Sequence, residues 1–536
     1  MVLDAAGPGF QSHFEDNAIE GLDHETQQFY GMLDSSNKPL FKGCDAHTEL
    51  SMAMRMMSIK TDYNAPQGLI NEFLQLAREF SPKEELCIPE DFYRTKKVVK
   101  NLGLKHLTYD CCINGCMLYY KDDENMEACR FCEAPRFKPR RKGNRRYKNV
   151  LFKKMHYLPL IPRLQRLYAS PSSAQHMRWH YEHKRPEGVM CHPSDGKAWK
   201  HFDKVHQIFS EDPRNVRLGL CADGFNPYGI GASSYSCWPV VVTPYNMPPH
   251  MCLTAPFMFL TCVILGPKNP KALIDVYLQL LIDELKILWE GVPTYDISTN
   301  QNFLMKAALM WTINDFPAYG MLSGWSTAGV FACPHCMEKT KAFYLKFGHK
   351  PSWFDCHRQW LPASHPFRDN VTAFYKNRVE KGKALKRLTG EEMWERVGDM
   401  PKATNYGSWL PKLPGYGQTH NWKKKTIFWD LIYWKDNLLP HNLDPMHIEK
   451  NVFDNIFNTV MNLPGSKDNP QARQVLAAHC DRDKLHLRSH NGRNYKLKAI
   501  FSFSNKQRSE VLTWIKEDLR MPDGYASNIS RGVNVE

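Results

Sequence analysis

The 536-residue chain has no apolar run long enough to cross a bilayer. Its longest, Met251–Leu265, falls short of the roughly 20 residues a spanning helix needs and reads as a buried strand. No Gly-x-Gly-x-x-Gly follows a predicted strand, and no Gly-Lys-Ser/Thr is present, so nucleotide-dependent chemistry has no support. No Gly-x-Ser-x-Gly elbow occurs, which removes serine-hydrolase chemistry. The opening MVLDAAGPG has neither the basic nor the apolar part of a signal peptide. The expectation is an intracellular protein with reduced thiols, so its 16 cysteines need a role other than disulfides. Gly (31) and Pro (35) are ordinary for this length, and no tandem repeat appears, which excludes collagen-like and solenoid architectures. An acidic excess is also missing: 70 Lys and Arg against 56 Asp and Glu give a net charge of +14. That balance points to a polyanionic partner, most often nucleic acid. With 43% apolar and 24% charged residues the chain is a folded one, and its length predicts about three or four domains.

Residues 1–45 are polar and aperiodic and read as a flexible leader. A helical region follows over 46–104. Met52, Met56, Leu69, Phe73, Leu76 and Ala77 recur at three- and four-residue spacing from Thr48 to Phe80, which predicts a core-facing stripe. Pro89 opens a further short helix running to Leu102. Residues 105–150 hold a cysteine cluster and a basic run. From Val216 the character turns to strands: 216–223, 238–243 and 257–265. An amphipathic helix over 270–290 comes next, then an apolar run, Phe303–Ile313, that ends at Asp315. Residues 331–427 are rich in Trp, His, Lys and Pro with weak periodicity and read as an insertion. Asp444-Pro445 starts a helix whose Ile448, Val452, Ile456 and Val460 predict a buried face. Residues 466–536 look like the start of a C-terminal region.

Two clusters have metal-ligand spacing. Cys112-x3-Cys116-x12-Cys129-x2-Cys132 brings four soft ligands together through two short turns, the first made by Asn114-Gly115. That is the pattern of a closed, structural zinc site, in which Cys111 could replace Cys112. The second is Cys333-Pro-His-Cys336, with His357 and His365 as the proposed partners and His335, His349 and Cys356 competing. In the basic run, Arg136, Lys138, Arg140, Arg141, Lys142, Arg145, Arg146 and Lys148 interleave with Phe137 and Tyr147, which suits phosphate contact or nuclear import. Three carboxylates stand apart. Asp223 and Asp315 end predicted strands, and Glu449 lies on the helix after Asp444. Such groups can converge on one sheet edge and hold two Mg²⁺ about 3.5–4 Å apart, the arrangement used for phosphoryl transfer between nucleic-acid strands.

Several longer motifs occur together in order: 212–220 (DPRNVRLGL), 222–229 (ADGFNPYG), 235–240 (YSCWPV), 281–286 (LIDELK), 311–320 (WTINDFPAYG), 322–327 (LSGWST), 332–336 (ACPHC) and 446–455 (MHIEKNVFDN). In these the chain resembles the plant CACTA-type, or En/Spm-type, transposases from about residue 45 onward. The resemblance implies an α/β fold with an RNase H-like catalytic core, here 151–330 plus 428–465, interrupted by the Cys/His-rich insertion 331–427. It implies a DDE triad of Asp223, Asp315 and Glu449 that cuts element ends with Mg²⁺ and joins the freed 3′-OH to target DNA. It further implies nuclear localisation, a possible homo-oligomer and a second element-encoded DNA-binding protein as partner. Members of the family usually continue past this length, so the C-terminal region is expected to be truncated. The readings that compete with it are a non-catalytic zinc-containing DNA-binding relic and a metal-dependent nuclease that does not join.

Overall fold

The computed structural model describes residues 35–536 except 101–105, 140–148, 185, 187, 229–234, 354, 373–377, 521–532 and 534–536. The chain groups into two compact units. The first comprises residues 1–311, 403–409 and 427–440, and the second 312–402, 410–426 and 441–536.

In the first unit the helical stretch expected from Thr48 to Phe80 consists of two helices, α1 (Glu49–Asp62) and α2 (Gln67–Phe80). Pro66 lacks an N–H and disfavours a helical residue before it, and Asn64 turns the chain at φ +48°. With α3 (Phe92–Lys100) they close a small core of Leu40, Ala65, Ile70, Leu74 and Ile88, on which Met52, Met56 and Ala77 pack. The predicted stripe is only half buried: Leu69, Phe73 and Leu76 are 47–49% exposed. At 100° per residue they stand beside the Ile70–Leu74–Ala77 stripe rather than on it, and this core covers one stripe only.

Seven strands form a mixed sheet: β1 (Leu107–Cys111), β2 (Lys153–Tyr157), β3 (Val216–Ala222), β4 (Trp238–Pro244), β5 (Phe259–Ile264), β8 (Ala307–Asn314) and β11 (His441–Leu443). Their order across it is β1-β2-β5-β4-β3-β8-β11. Consecutive pairs from β1 through β3 are antiparallel. β3 and β8 start side by side, Val216 N–H donating to the Lys306 carbonyl at 2.8 Å. The predicted strands are present with two revisions. Only the second half of the Met251–Leu265 run is a strand, because a turn over 249–253 and a short 3-10 helix, Ala255–Phe257, precede it. The Phe303–Ile313 run is divided at Lys306, whose N–H donates to Asn215 Oδ1. It supplies β7 (Gln301–Met305), hairpinned to β6 (Val292–Asp296), and then β8. Gly219 in β3 is required by close packing, since a Cβ there would lie 2.5 Å from the Tyr245 ring and 2.9 Å from the Trp311 indole nitrogen.

The predicted amphipathic helix is α4 (Ile274–Glu290), buried along most of its length. Residues 427–440 return to it and to β8: Ile427 N–H donates to Asp275 Oδ2 of the helix, and the Tyr433 hydroxyl accepts from Leu309 N–H of the strand. Asp203 neutralises the buried Arg217 of β3 at 2.6 Å.

In the second unit, the last three residues of β8 pair in parallel with β11. Helix α5 (Phe316–Ser323) follows and stops at Gly324, φ +82°, where a Cβ would meet the Lys424 carbonyl at 2.5 Å. A small hairpin, β9 (Phe343–Leu345) and β10 (Lys350–Ser352), precedes a loop region. There the buried Arg358 and Arg368 donate to backbone carbonyls, among them those of Phe367, Glu380 and Gly382. Helix α6 (Pro445–Val460) overturns an expectation: it has no buried residue, and Ile448, Val452 and Ile456 are 44–59% exposed. An amphipathic pattern marks a face that can be buried; packing partners decide whether it is.

Candidate metal centre and carboxylates

The first cysteine cluster is built on the sheet. Cys111 ends β1, and successive strand residues face opposite sides. Cys111 therefore turns away, its buried thiol directed at the Tyr109 carbonyl and pushed up to about 12 by burial. Cys112 turns toward the cluster. The chain then reverses through Asn114-Gly115, with Gly115 at φ +75°, and Gly115 N–H donates to the Cys112 carbonyl at 2.8 Å. The sulfurs of Cys112, Cys116, Cys129 and Cys132 lie within 4.8 Å of one another, and Cys112 and Cys132 are 3.4 Å apart. A tetrahedral ion with bonds of about 2.3 Å places its sulfurs about 3.8 Å apart, so the four residues fit zinc. Asn114 supports the cage twice, its N–H toward Cys112 Sγ at 3.3 Å and its side-chain amide toward Cys132 Sγ at 3.4 Å. Burial works against the Cys132 thiolate. Hydrogen bonds from Asn114, the Ala134 N–H and the neighbouring thiols outweigh it and bring the thiol down to about 7. Burial pushes Cys112 and Cys129 up.

The second cluster assembles three of the four proposed ligands, Cys333, Cys336 and His357. Cys336 N–H donates to Cys333 Sγ at 3.4 Å, the turn expected of Cys-x-x-Cys. For Cys333, burial is outweighed by hydrogen bonds from His357 and from the Cys336 and His335 N–H groups, which bring it to about 7. Cys336 is pushed up to about 11 by burial and the nearby Cys333. His365 lies outside this group: its Nδ1 accepts from Phe367 N–H and caps the turn that begins at Pro366. Among the described residues these two clusters are the groups of three or more ligands so gathered.

The basic run is described only in part. Arg140, Arg141, Lys142, Arg145, Arg146 and Lys148 lie outside the described residues. Lys138 is exposed, as a phosphate contact requires. Arg136, by contrast, is spent internally. Its Nε donates to Asp110 Oδ2 at 2.6 Å, and its Nη1 donates to the carbonyls of Glu124 (2.6 Å) and Met126 (3.2 Å). Its guanidinium stacks over the Tyr119 ring at 4.5 Å. It fastens the cysteine module to β1 rather than facing solvent.

Asp223 follows β3 and is exposed, its Oδ1 accepting from Gly224 N–H at 2.7 Å. A Cβ on Gly224 would meet the Trp238 indole at 2.4 Å, so glycine is needed directly after this aspartate. Asp315 follows β8 and caps α5 through Ala318 N–H at 2.8 Å. Glu449 is exposed on the first turns of α6. The register adds a neighbour, Asp444. β11 pairs Leu443 with Asn314, so Asp444 follows in step beside Asp315, its N–H donating to the Asn314 carbonyl at 2.9 Å. Asp444 also caps α6 through Met446 N–H.

Residues 187–400 match a family model described as "Transposase family tnp2". The match includes Asp223, Asp315 and the second cysteine cluster. It stops short of Glu449 and does not reach the first cluster. No curated protein matches the chain. The matched segment suggests a transposase, a class of enzyme that binds and cuts DNA. No helix among the described residues is long and apolar enough to cross a membrane.

Proposed function

We propose that the chain is a DNA transposase of the CACTA type, in which Asp223, Asp315 and Glu449 act as the carboxylates of an RNase H-like core. The observation that carries this reading is the match of 187–400 to a transposase family, a stretch that contains both Asp223 and Asp315. Carboxylate oxygens are the donors that hard divalent ions require. Two Mg²⁺ bound there would supply activation of the attacking oxygen and stabilisation of the leaving one. The chain's own part is to orient these oxygens. Gly224 fixes Asp223, and the helix cap at α5 fixes Asp315. The four-cysteine centre holds zinc as a structural ion, and Cys333, Cys336 and His357 are a candidate second site. In this reading the protein acts in the nucleus on element ends and target DNA. Lys138 and the basic residues up to Lys148 contact phosphates, and a homo-oligomer and a second element-encoded DNA-binding protein assist.

The test is cleavage and joining of labelled element-end DNA in Mg²⁺, comparing wild type with Asp223→Asn. The substitution keeps the acceptor for Gly224 N–H and removes the charge. Loss of cleavage by about a thousandfold is expected, the scale on which removing one charge-stabilising group acts. Wild-type cleavage by Asp223→Asn overturns the triad. Cleavage without joined products makes the protein a nuclease.

A further inference from the structure

The four-cysteine cage receives most of its hydrogen bonds from within residues 112–134, but one of its neighbours comes from far along the chain. Cys116, fully buried, directs its thiol at the Ser408 hydroxyl at 3.2 Å, across 292 residues of sequence. The residues on either side of Ser408 hold the same module. Gly407, at φ +53°, approaches so closely that a Cβ would lie 2.8 Å from both Cys116 Cβ and the Phe131 ring. Trp409 Nε1 donates to the Phe131 carbonyl at 2.6 Å. Residues 403–409 group with the first unit, whereas the flanking stretches 312–402 and 410–426 group with the second. The short strap is therefore held to the unit that contains the cage.

We infer that Ser408 is a positioning residue of the four-cysteine metal centre, and that the Gly407–Trp409 strap is fastened by metal loading. The inference rests on the zinc reading of Cys112, Cys116, Cys129 and Cys132. Four thiolates around one divalent cation leave a net charge of −2 in a largely buried site, so donors to sulfur stabilise the loaded form. In the metal-free state the Cys116 S–H donates to Ser408 Oγ. Metal binding releases that thiol proton to solvent, and the sulfur becomes an acceptor only. The Ser408 hydroxyl then turns round and donates to it. The same contact thus becomes a charge-assisted hydrogen bond on loading, and the strap is held more firmly when metal is present.

The experiment uses the full chain with Cys333→Ser and Cys336→Ser, which silence the second cluster. Cobalt and then competing zinc are titrated in against a chromophoric chelator. Ser408→Ala should weaken metal affinity by about 10- to 100-fold, the usual effect of removing a group that orients a ligand. It should also shift the sulfur-to-cobalt charge-transfer band, and Ser408→Thr, which keeps the hydroxyl, should restore both. Trypsin cleavage after the exposed Lys412, just beyond the strap, should slow when zinc is added to the parent and slow less in Ser408→Ala. Unchanged affinity and band in Ser408→Ala, or cleavage at Lys412 indifferent to zinc, overturns the inference. A parent that takes up no metal, with four thiols still titratable, instead refutes the zinc reading on which it rests.

Discussion

Arg136→Ala separates a structural arginine from a DNA-contacting one. The wild-type side chain makes a paired contact with Asp110, two bonds to carbonyls and a stack on Tyr119, and both it and Asp110 are 17% exposed. Removing one partner of a buried ion pair costs about 3–5 kcal/mol, chiefly through the charge left behind. Some water reaches this pair, so the lower end, about 3 kcal/mol, is the expected loss. The carbonyls of Glu124 and Met126 lose their donor at the same time. The module needs only to open locally to show this. At 1.36 kcal/mol per decade, amide-exchange protection over residues 107–137 should fall by about 150-fold. Hydrogen exchange read by mass spectrometry on peptides covering that stretch measures it. Asp110→Asn together with Arg136→Ala should recover part of the loss, because no unpaired carboxylate remains. DNA affinity should keep its salt slope in the single variant. Unchanged exchange together with a flatter salt slope would show that Arg136 faces phosphates and that the reasoning is wrong.

Other consequences are open to measurement. In metal-stripped protein, alkylation of Cys132 and Cys333 should rise through a pH midpoint near 7, from about a tenth to about nine tenths thiolate between pH 6 and 8. Cys336, pushed up to about 11, should stay protonated across that range, and a shared midpoint, read by site-resolved mass spectrometry, would contradict the assignment. Gly224→Ala should cost about 1–3 kcal/mol, because its Cβ must displace the Trp238 indole, and should impair cleavage by moving Asp223; wild-type melting and activity would refute this. Asp315→Ala should lose about 1 kcal/mol of helix capping while Asp315→Asn keeps it, so thermal melting distinguishes the cap from catalysis. Glu449→Gln should abolish Mg²⁺-dependent cleavage with DNA affinity kept; if it cleaves normally, Asp444, in step beside Asp315, is the residue to replace next.

What the sequence determined by itself is local. Cys112 with Cys116 and Cys129 with Cys132 are each paired by a short local turn, and the Asn114-Gly115 turn is written in the residue types. The strands expected over 216–223 and 238–243 and the helix expected over 270–290 followed from periodicity and from proline and glycine positions, and the helix begins at Ile274. Tertiary structure decided everything that depends on a distant partner. β1 and β2 became sheet strands because β5 offered an edge, and this fixed which of Cys111 and Cys112 faces the cage. Arg136 left the basic run because the fold brings Asp110 of β1 within hydrogen-bond reach of it. The Met52–Ala77 stripe and the α6 face show the same division, since period marks an apolar face but only a packed neighbour removes it from water. His365 was taken by a helix cap two residues away, whereas Ser408 reached Cys116 across 292 residues. Spacing cannot register such a contact, because a hydrogen bond between remote segments depends on where the fold returns the chain.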